Sequence, residues 1–287
     1  MASSFLCFGT TRSGTTFLYK HLRDHPQVWL PPQKELHYFS YQRDHGFANR
    51  KHLKHLRKLV PAARDAMHGK RGTTAELAWQ ARYLFGPRSD AWYRSLYDMT
   101  GPLVTGQIEP TYAVIGPDAV DSVHTMFPDV RLIYMMRDPI ERAWSSVTKS
   151  TAKNKNRSMD EVTDADMFEK LDRSAIRMST YIDHIERWER GFPEREILYG
   201  FYDEIVEDPS AFIARICAFI GIDAPTGTDA EEMRRPINDT TRFKVEIPPK
   251  IELYMAEKLV EPTRRLHDRF GGYTTGWYER MQRVVSS

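Results

Sequence analysis

Residues 4–22 read SFLCFGTTRSGTTFLYKHL, and three patterns follow one another in this stretch. A short apolar run ends at Gly9, a loop rich in glycine and hydroxyl groups leads to Thr16, and apolar residues from Phe17 to Leu22 recur at helical spacing. This order predicts a strand, a loop and a helix. Because the first amides of a helix have no partners within it, the loop favours an anion.

The chemistry of this loop indicates a phosphate or a similar tetrahedral anion. Gly9 and Gly14 nearly match the P-loop spacing, but Thr15 stands where that pattern has the Lys that binds nucleotide triphosphates, so ATP chemistry is not favoured. Arg12 supplies a cation instead, since a guanidinium can bind two oxygens of one anion. The hydroxyl groups come from Ser13, Thr15 and Thr16. An ordinary Ser and Thr helix cap is the alternative, and it explains neither the Arg nor the glycines.

Further strand and helix patterns alternate along the chain. An apolar run from Val130 to Met136 ends at Arg137, and helical spacing follows Pro139. Two more buried strands are predicted at residues 103–108 and 196–201. Helical patterns with one apolar face occupy residues 53–60, 212–220 and 251–266. Strands that alternate with helices predict an α/β fold with a central parallel sheet flanked by helices.

The composition excludes several classes of protein. The chain has 287 residues, of which 41% are hydrophobic and 28% charged, enough apolar material for a packed core. A net charge of +2 gives no global field that would collect nucleic acid or an anionic membrane. Cys7 and Cys217 stand in apolar runs, so we expect buried thiols in a reducing compartment. Neither a membrane span nor a secretory leader is evident, which favours a cytoplasmic location.

The chain is predicted to form a single domain over residues 1–287. The polar stretches 154–166 and 221–241 read as loops rather than as linkers between domains. Residues 221–287 are expected to provide a lid loop and a closing helix, and that helix is expected to be interrupted near Pro262.

Four stretches together resemble the sulfotransferases that use 3′-phosphoadenosine 5′-phosphosulfate (PAPS). The loop of residues 9–16 resembles their 5′-phosphosulfate-binding loop, and residues 34–39, KELHYF, resemble the Lys-Glu-x-His-Phe-Phe element of the glycan-modifying and bacterial branch. Residues 137–145, RDPIERAWS, resemble the element that binds the 3′-phosphate. Residues 198–209 resemble a later strand-and-turn segment. These anchors follow the family's order over about three quarters of the chain.

The resemblance implies a donor site for PAPS, from which adenosine 3′,5′-bisphosphate leaves as product, without a metal. It implies that the loop residues Arg12, Ser13, Gly14, Thr15 and Thr16 bind the phosphosulfate, that Arg137 and Ser145 bind the 3′-phosphate, and that Tyr202 contacts the adenine. The residues alone agree in part, because Arg137 follows a buried strand, at the edge where open parallel sheets bind ligands. A purely structural Arg137, paired with Asp138 or Glu141, is the alternative.

Sulfuryl transfer needs a base for the acceptor proton and cations for the leaving phosphate. Glu35 is the predicted base, as the resemblance also implies, and His37 is the second candidate or orients the acceptor. In an extended segment Glu35 and His37 would share a face, whereas in a helix they would not. Lys34 either steadies the sulfonate or is exposed. Arg12, which replaces a Lys of many members, is expected to bind and to assist the leaving group.

Other positions depart from the family pattern. Ser40 stands where the glycan branch often has an acidic residue. Residues 106–112, GQIEPTY, resemble a Gly-Glu-x-x-Pro-x-Tyr element in which Gln107 replaces the Glu and an acid occurs at Glu109 instead. Arg242 and Lys244 are candidates for closing over the nucleotide.

We expect the acceptor to be a hydroxyl of a carbohydrate or a small natural product, with an amine as the second candidate. The basic stretches 50–71 and 149–157 can receive an anionic acceptor or can be solvated surface. Two rival functions remain: a P-loop kinase of nucleotides or small molecules, which predicts binding of ATP with magnesium, and a non-catalytic nucleotide-binding protein.

Overall fold

The computed structural model describes residues 4–40, 74–98, 103–152, 162–225, 233 and 245–287. Its strands are, in chain order, β1 Ser4–Gly9, β2 Val28–Trp29, β3 Val104–Ile108, β4 Arg131–Met136 and β5 Ile197–Phe201. They form one sheet in the order β2-β3-β1-β4-β5, and every neighbouring pair is parallel. The predicted α/β fold is therefore confirmed. Strand β2 was not predicted, because two residues are too few to show a period.

Helices surround the sheet. In chain order they are α1 Thr15–Arg23, α2 Thr74–Phe85, α3 Asp90–Ser95, α4 Pro117–Met126, α5 Pro139–Ala152, α6 Asp164–Lys170, α7 Tyr181–Glu189, α8 Tyr202–Glu207, α9 Pro209–Ile220, α10 Pro249–Phe270 and α11 Tyr273–Ser286. Three predicted helical patterns lie in α1, α5 and α9, and the pattern at 53–60 lies outside the described residues. None of the helices in the described ranges combines the length and the hydropathy that a transmembrane span requires.

The central position of β1 determines where ligands can bind. Leu6 of β1 pairs with Gln107 of β3, and Cys7 pairs with Ile133 of β4. Because the three strands are parallel, their carboxyl ends meet at one edge of the sheet. The segments that begin at Thr10, Glu109 and Arg137 therefore leave the sheet side by side.

The alternation of side chains along β1 divides the core between the two faces of the sheet. Phe8 stacks on Trp188 of α7 with ring centroids 4.1 Å apart, whereas Cys7 packs on the other face among residues of α1 and α9. All three side chains are fully buried. Full burial of one large apolar side chain contributes about 1.5–3 kcal/mol. Cys7 and Cys217 are buried free thiols, as predicted.

The C-terminal segment differs from the prediction. Pro262 lies inside α10, which continues without interruption from Pro249 to Phe270. Leu259 and Leu266, on either side of Pro262, are fully buried in two apolar clusters, so packing on both sides of the proline holds the helix together. A second helix, α11, follows after Gly271 and Gly272, both of which have positive φ. We expected one closing helix, and the chain forms two.

Several predicted segments lie partly or wholly outside the described residues. Residues 50–71, Arg242 and Lys244 lie outside, as does most of 149–157. The predicted loop 154–166 ends within α6, where Thr163 and Asp166 form a capping box that the sequence analysis did not detect. That residues 1–287 form a single domain stays a prediction.

Candidate active site

The loop between β1 and α1 is held by its own buried polar groups. The main-chain N–H of Thr10 donates to the carbonyl of Met135 at 2.8 Å, and the Thr10 hydroxyl lies 2.7 Å from Ser13 Oγ. Gly14 has a φ of 88°, a conformation that favours glycine. In the described structure no side chain caps the start of α1, so the first amides of this helix can bind an anion.

Three guanidinium groups gather beside this loop. Arg12 extends to α5, where its Nε donates to Ser145 Oγ at 2.8 Å. Burial, and then the neighbouring charge of Arg137, lower the pKa of Arg12. Arg142 is fully buried behind the loop and donates to the carbonyl of Thr11 at 3.5 Å; burial lowers its pKa to about 10. Because cations in such proximity repel one another, an anion between them is stabilised.

Arg137 leaves the end of β4 and lies against the ring of Tyr202, with Cζ 4.8 Å from the ring centroid. Its Nη2 also lies 3.3 Å from Glu141 Oε2. One of the two ion pairs expected of a purely structural Arg137 is therefore present. Asp138 pairs instead with Arg280 of α11 at 3.2 Å. A cavity of about 350 Å³ opens here and is lined by Arg137, Asp138, Glu141, Tyr202, Asp203, Val206 and Glu207. Arg137 and Tyr202 therefore share one cavity wall.

Glu35 and His37 come together, but not in the predicted way. His37 Nε2 lies 3.7 Å from Glu35 Oε2. The segment is not an extended strand, because Glu35 has a φ of 61° and His37 a φ of 57°. The left-handed conformation of both residues, rather than the alternation of a strand, orients their side chains toward one another. Between them, Leu36 is buried in the core.

Lys34 connects this segment to the start of α1. Its Nζ lies 3.4 Å from Thr16 Oγ1 and 3.9 Å from Glu35 Oε1. Burial lowers the pKa of Lys34. Lys34 therefore lies between the predicted base, Glu35, and the start of α1. Its side chain is partly buried rather than freely exposed.

Sequence reasoning assigned no role to two residues of this region. Arg142 lies inside the 137–145 stretch, but helical spacing gives no sign that this one arginine is buried. Glu109 is fully buried beside His37, with Oε1 accepting the main-chain N–H of His37 at 3.1 Å. The sequence did show that an acid stands at Glu109 rather than at Gln107, where the family pattern has one. The role of Glu109 could not be predicted from this, because it depends on a contact with His37, 72 positions away.

Fold and site together define a class of protein: a parallel α/β protein with two adjacent clusters of cationic and hydroxyl groups at the carboxyl edge of its sheet, and a carboxylate beside the first cluster. The model of the sulfotransferase family matches residues 5–226. The chain therefore belongs to the sulfotransferase family.

Curated relatives support this membership. Over 145 residues the chain is 31% identical to the human heparan sulfate glucosamine 3-O-sulfotransferase 3B1, a match that covers 46% of this chain and 35% of the relative. Carbohydrate sulfotransferase 15 of Rattus norvegicus is 27% identical over 170 residues, covering 53% of this chain and 28% of the relative. These matches span about a third of the relatives' length.

Solved structures agree in fold. A sulfotransferase from Alicyclobacillus acidocaldarius superposes with a TM-score of 0.63 at 18% identity, covering 96% of this chain and 99% of that one. The sulfotransferase domain from the curacin biosynthetic pathway superposes with a TM-score of 0.55 at 15% identity, covering 93% and 98%.

Proposed function

We propose that this protein transfers the sulfuryl group of PAPS to a hydroxyl of a carbohydrate or small-molecule natural-product acceptor, with an amine as the second candidate. The observation that carries the proposal is the bond of Arg12 to Ser145, because it joins the loop at α1 to the element at Arg137. A nucleotide that carries a phosphate at both its 5′ and 3′ positions presents two anions to such a pair of sites.

Donor binding is assigned to groups at both sites. The amides at the start of α1, together with Arg12 and the hydroxyls of Ser13, Thr15 and Thr16, bind the phosphosulfate. Arg137 and Ser145 bind the 3′-phosphate, with Arg137 exchanging Glu141 for the phosphate. Tyr202 offers its ring to the adenine, since the cavity that it lines adjoins Arg137. Arg142 adds positive charge from behind the loop.

Transfer requires one proton acceptor and one stabilised leaving group. The acceptor oxygen attacks sulfur in line, its proton passes to Glu35, and the bond from sulfur to the 5′-phosphate oxygen breaks. Adenosine 3′,5′-bisphosphate leaves with the bonding electron pair, and Arg12 stabilises the negative charge that develops on its phosphate. Lys34, near both Thr16 and Glu35, holds the sulfuryl oxygens.

The acceptor class is proposed from the relatives. Two of them are named as a heparan sulfate glucosamine 3-O-sulfotransferase and a carbohydrate sulfotransferase. A glycan hydroxyl is therefore the first acceptor to test, followed by small alcohols.

The test is incubation of the purified protein with [³⁵S]PAPS and a panel of N-sulfated heparan oligosaccharides, chondroitin, small alcohols and amines. We expect label in at least one hydroxyl acceptor, at the same rate with and without a chelator. Transfer of label from [γ-³²P]ATP with magnesium, and none from PAPS, would establish the kinase instead.

A further inference from the structure

The buried carboxyl group of Glu109, to which the proposed reaction assigns no role, contacts His37, the neighbour of the proposed base Glu35. Glu109 follows β3 at the carboxyl edge of the sheet and is fully buried. Its Oε1 accepts the main-chain N–H of His37 at 3.1 Å, and its Oε2 lies 3.4 Å from His37 Nδ1. One carboxyl group thus contacts both the backbone and the ring of the same histidine.

The ring of His37 also contacts the carboxyl group of Glu35. The other ring nitrogen, Nε2, lies 3.7 Å from Glu35 Oε2, so the imidazole stands between two carboxyl groups. Glu35 and His37 both hold left-handed backbone conformations, which non-glycine residues adopt only when the surroundings impose them. The bond from the His37 main chain to Glu109 is such a restraint.

A second layer of hydrogen bonds orients the Glu109 carboxyl. Gln107 donates its Nε2 to Glu109 Oε1 at 2.7 Å, and the hydroxyls of Tyr93 and Tyr97 both donate to the Gln107 carbonyl oxygen. Glu109 Oε1 therefore accepts two hydrogen bonds. Glu109 Oε2 accepts no hydrogen bond within the described structure and faces the histidine ring. The amide at Gln107 is suited to this task, because it accepts from the tyrosines and donates to Glu109.

We propose that Glu109 is a positioning residue, which fixes His37 through its main chain and its ring and thereby holds Glu35 where it can take the acceptor proton. This inference rests on the proposed function, since it assigns the part of Glu109 in a transfer for which Glu35 is the base.

The protonation of Glu109 sets which hydrogen the ring presents to Glu35. Burial raises the pKa of Glu109 to about 8, although bonds from the His37 main chain and Gln107 lower it in part. A neutral Glu109 can donate Oε2–H to Nδ1, so that Nε2–H faces the Glu35 carboxylate. An ionised Glu109 accepts from Nδ1 instead and leaves a lone pair on Nε2. The Thr111 hydroxyl, 3.1 Å from Nδ1, can donate to this nitrogen or accept from it, so it can form a hydrogen bond whether Glu109 is neutral or ionised.

Several charged or titratable groups act on Glu109 from the elements around it. They are Lys34, Glu35, His37, Tyr83, Tyr93, Tyr97 and Tyr112. Burial raises the pKa of each of the four tyrosines, so none of them ionises near pH 8. Burial lowers the pKa of Lys34, so a change of rate near pH 8 is assigned to Glu109 only where Glu109→Gln removes it.

The test compares Glu109→Gln and Glu109→Ala with the wild type. The Gln variant keeps an oxygen for His37 N–H and Gln107 and points a permanent N–H donor at Nδ1, so it mimics the neutral acid. We expect Glu109→Gln to lower kcat at pH 7 less than Glu109→Ala does, and to lose the dependence of kcat on pH that Glu109 confers near pH 8. We expect Glu109→Ala to lose kcat roughly 10- to 100-fold, with KM for PAPS and binding of adenosine 3′,5′-bisphosphate unchanged. Glu186→Gln, on the surface beside Arg265, is the control and should match the wild type.

Two outcomes would overturn the inference. One is wild-type kcat and an unaltered pH profile in both Glu109 variants. The other is a loss of kcat matched by an equal loss of nucleotide binding in Glu109→Gln, which would indicate a structural role. A readout independent of transfer is the ¹⁵N NMR titration of the His37 ring, which should differ between wild type and Glu109→Gln. If the wild type transfers no label from PAPS, the proposed function fails; if it transfers and the variants match it, only the positioning role fails.

Discussion

Arg12 and Ser145 are 133 positions apart in sequence, yet Arg12 Nε donates to Ser145 Oγ over 2.8 Å. The arginine comes from the loop before α1 and the serine from the second turn of α5. A serine hydroxyl that accepts from a guanidinium still has its own hydrogen to donate, so Ser145 can bind a phosphate oxygen at the same time. This pair therefore connects the proposed phosphosulfate loop with the proposed 3′-phosphate site.

Replacement of Arg137 should weaken the binding of ligands that carry a 3′-phosphate and spare the binding of ligands that lack it. We expect Arg137→Ala to weaken adenosine 3′,5′-bisphosphate by about 2 kcal/mol, roughly 30-fold in Kd, because one charge-assisted contact is lost. Adenosine 5′-monophosphate should bind almost as it does to the wild type. Titration calorimetry with both ligands measures the difference.

The control for this variant is Arg215→Ala, which removes an arginine that pairs with Glu204 at 2.7 Å and does not line the cavity. It should leave both ligands unaffected. Equal weakening of the two ligands by Arg137→Ala would show that Arg137 does not contact the 3′-phosphate.

Glu35 should matter for turnover and not for donor binding. We expect Glu35→Gln to lower kcat roughly 100-fold or more, since the amide cannot accept the acceptor proton, while affinity for adenosine 3′,5′-bisphosphate stays nearly constant. Initial rates with [³⁵S]PAPS test this. A Glu35→Gln variant with wild-type turnover would shift the role of base to His37.

Gly14 should not tolerate a side chain. A Cβ at Gly14 would lie 2.5 Å from Ile205 Cδ1 and 3.3 Å from the Tyr202 ring, on a backbone with a φ of 88°. We expect Gly14→Ala to cost about 1–2 kcal/mol in backbone strain. We also expect weaker nucleotide binding, because the Ile205 side chain must move and the adjacent Tyr202 ring must adjust.

The matched control is Gly276→Ala within α11, where a Cβ meets nothing within 4 Å. That change should raise the melting temperature slightly without affecting nucleotide binding, since alanine favours a helix by up to about 1 kcal/mol over glycine. Wild-type affinity in Gly14→Ala would contradict the role given to this loop.

Glu109 should make stability depend on pH. Its pKa is about 8 in the folded protein against 4.5 ordinarily, so above pH 4.5 the unfolded chain releases a proton that the folded protein keeps. The contribution of Glu109 to stability is therefore complete below pH 4.5 and falls as the pH rises toward 8, by at most about 1.4 kcal/mol per pH unit. Urea unfolding at pH 5, 6.5 and 8 should show this slope in the wild type relative to Glu109→Gln. Parallel pH dependence in the two proteins would contradict it.

The sequence was sufficient for the parts of the fold that local patterns determine. The strands at Ser4, Arg131 and Ile197 each show an apolar run, whereas the strand at Val104 has apolar residues only at its two ends. The glycines, hydroxyl groups and arginine of the loop before α1 are adjacent in the sequence, so its preference for an anion could be predicted. Because parallel strands bring their carboxyl ends together, the loop and Arg137 could be placed at one edge from the sequence alone.

What the sequence did not predict depends on contacts between distant residues. The uninterrupted α10 depends on the packing of Leu259 and Leu266, which outweighs the local effect of Pro262. The burial of Arg142 and of Glu109 depends on elements far away in the chain. The left-handed backbone at Glu35 has no local sequence signal, because glycine usually marks such conformations.

The proposed function depends on a donor site that recognises both phosphates of the nucleotide. Isothermal titration of the purified protein with adenosine 3′,5′-bisphosphate, with adenosine 5′-monophosphate and ATP with magnesium as controls, tests it without knowledge of the acceptor. We expect tight binding that needs the 3′-phosphate and does not change when a chelator is present. Preference for ATP with magnesium, or equal affinity for the two adenosine phosphates, would contradict it.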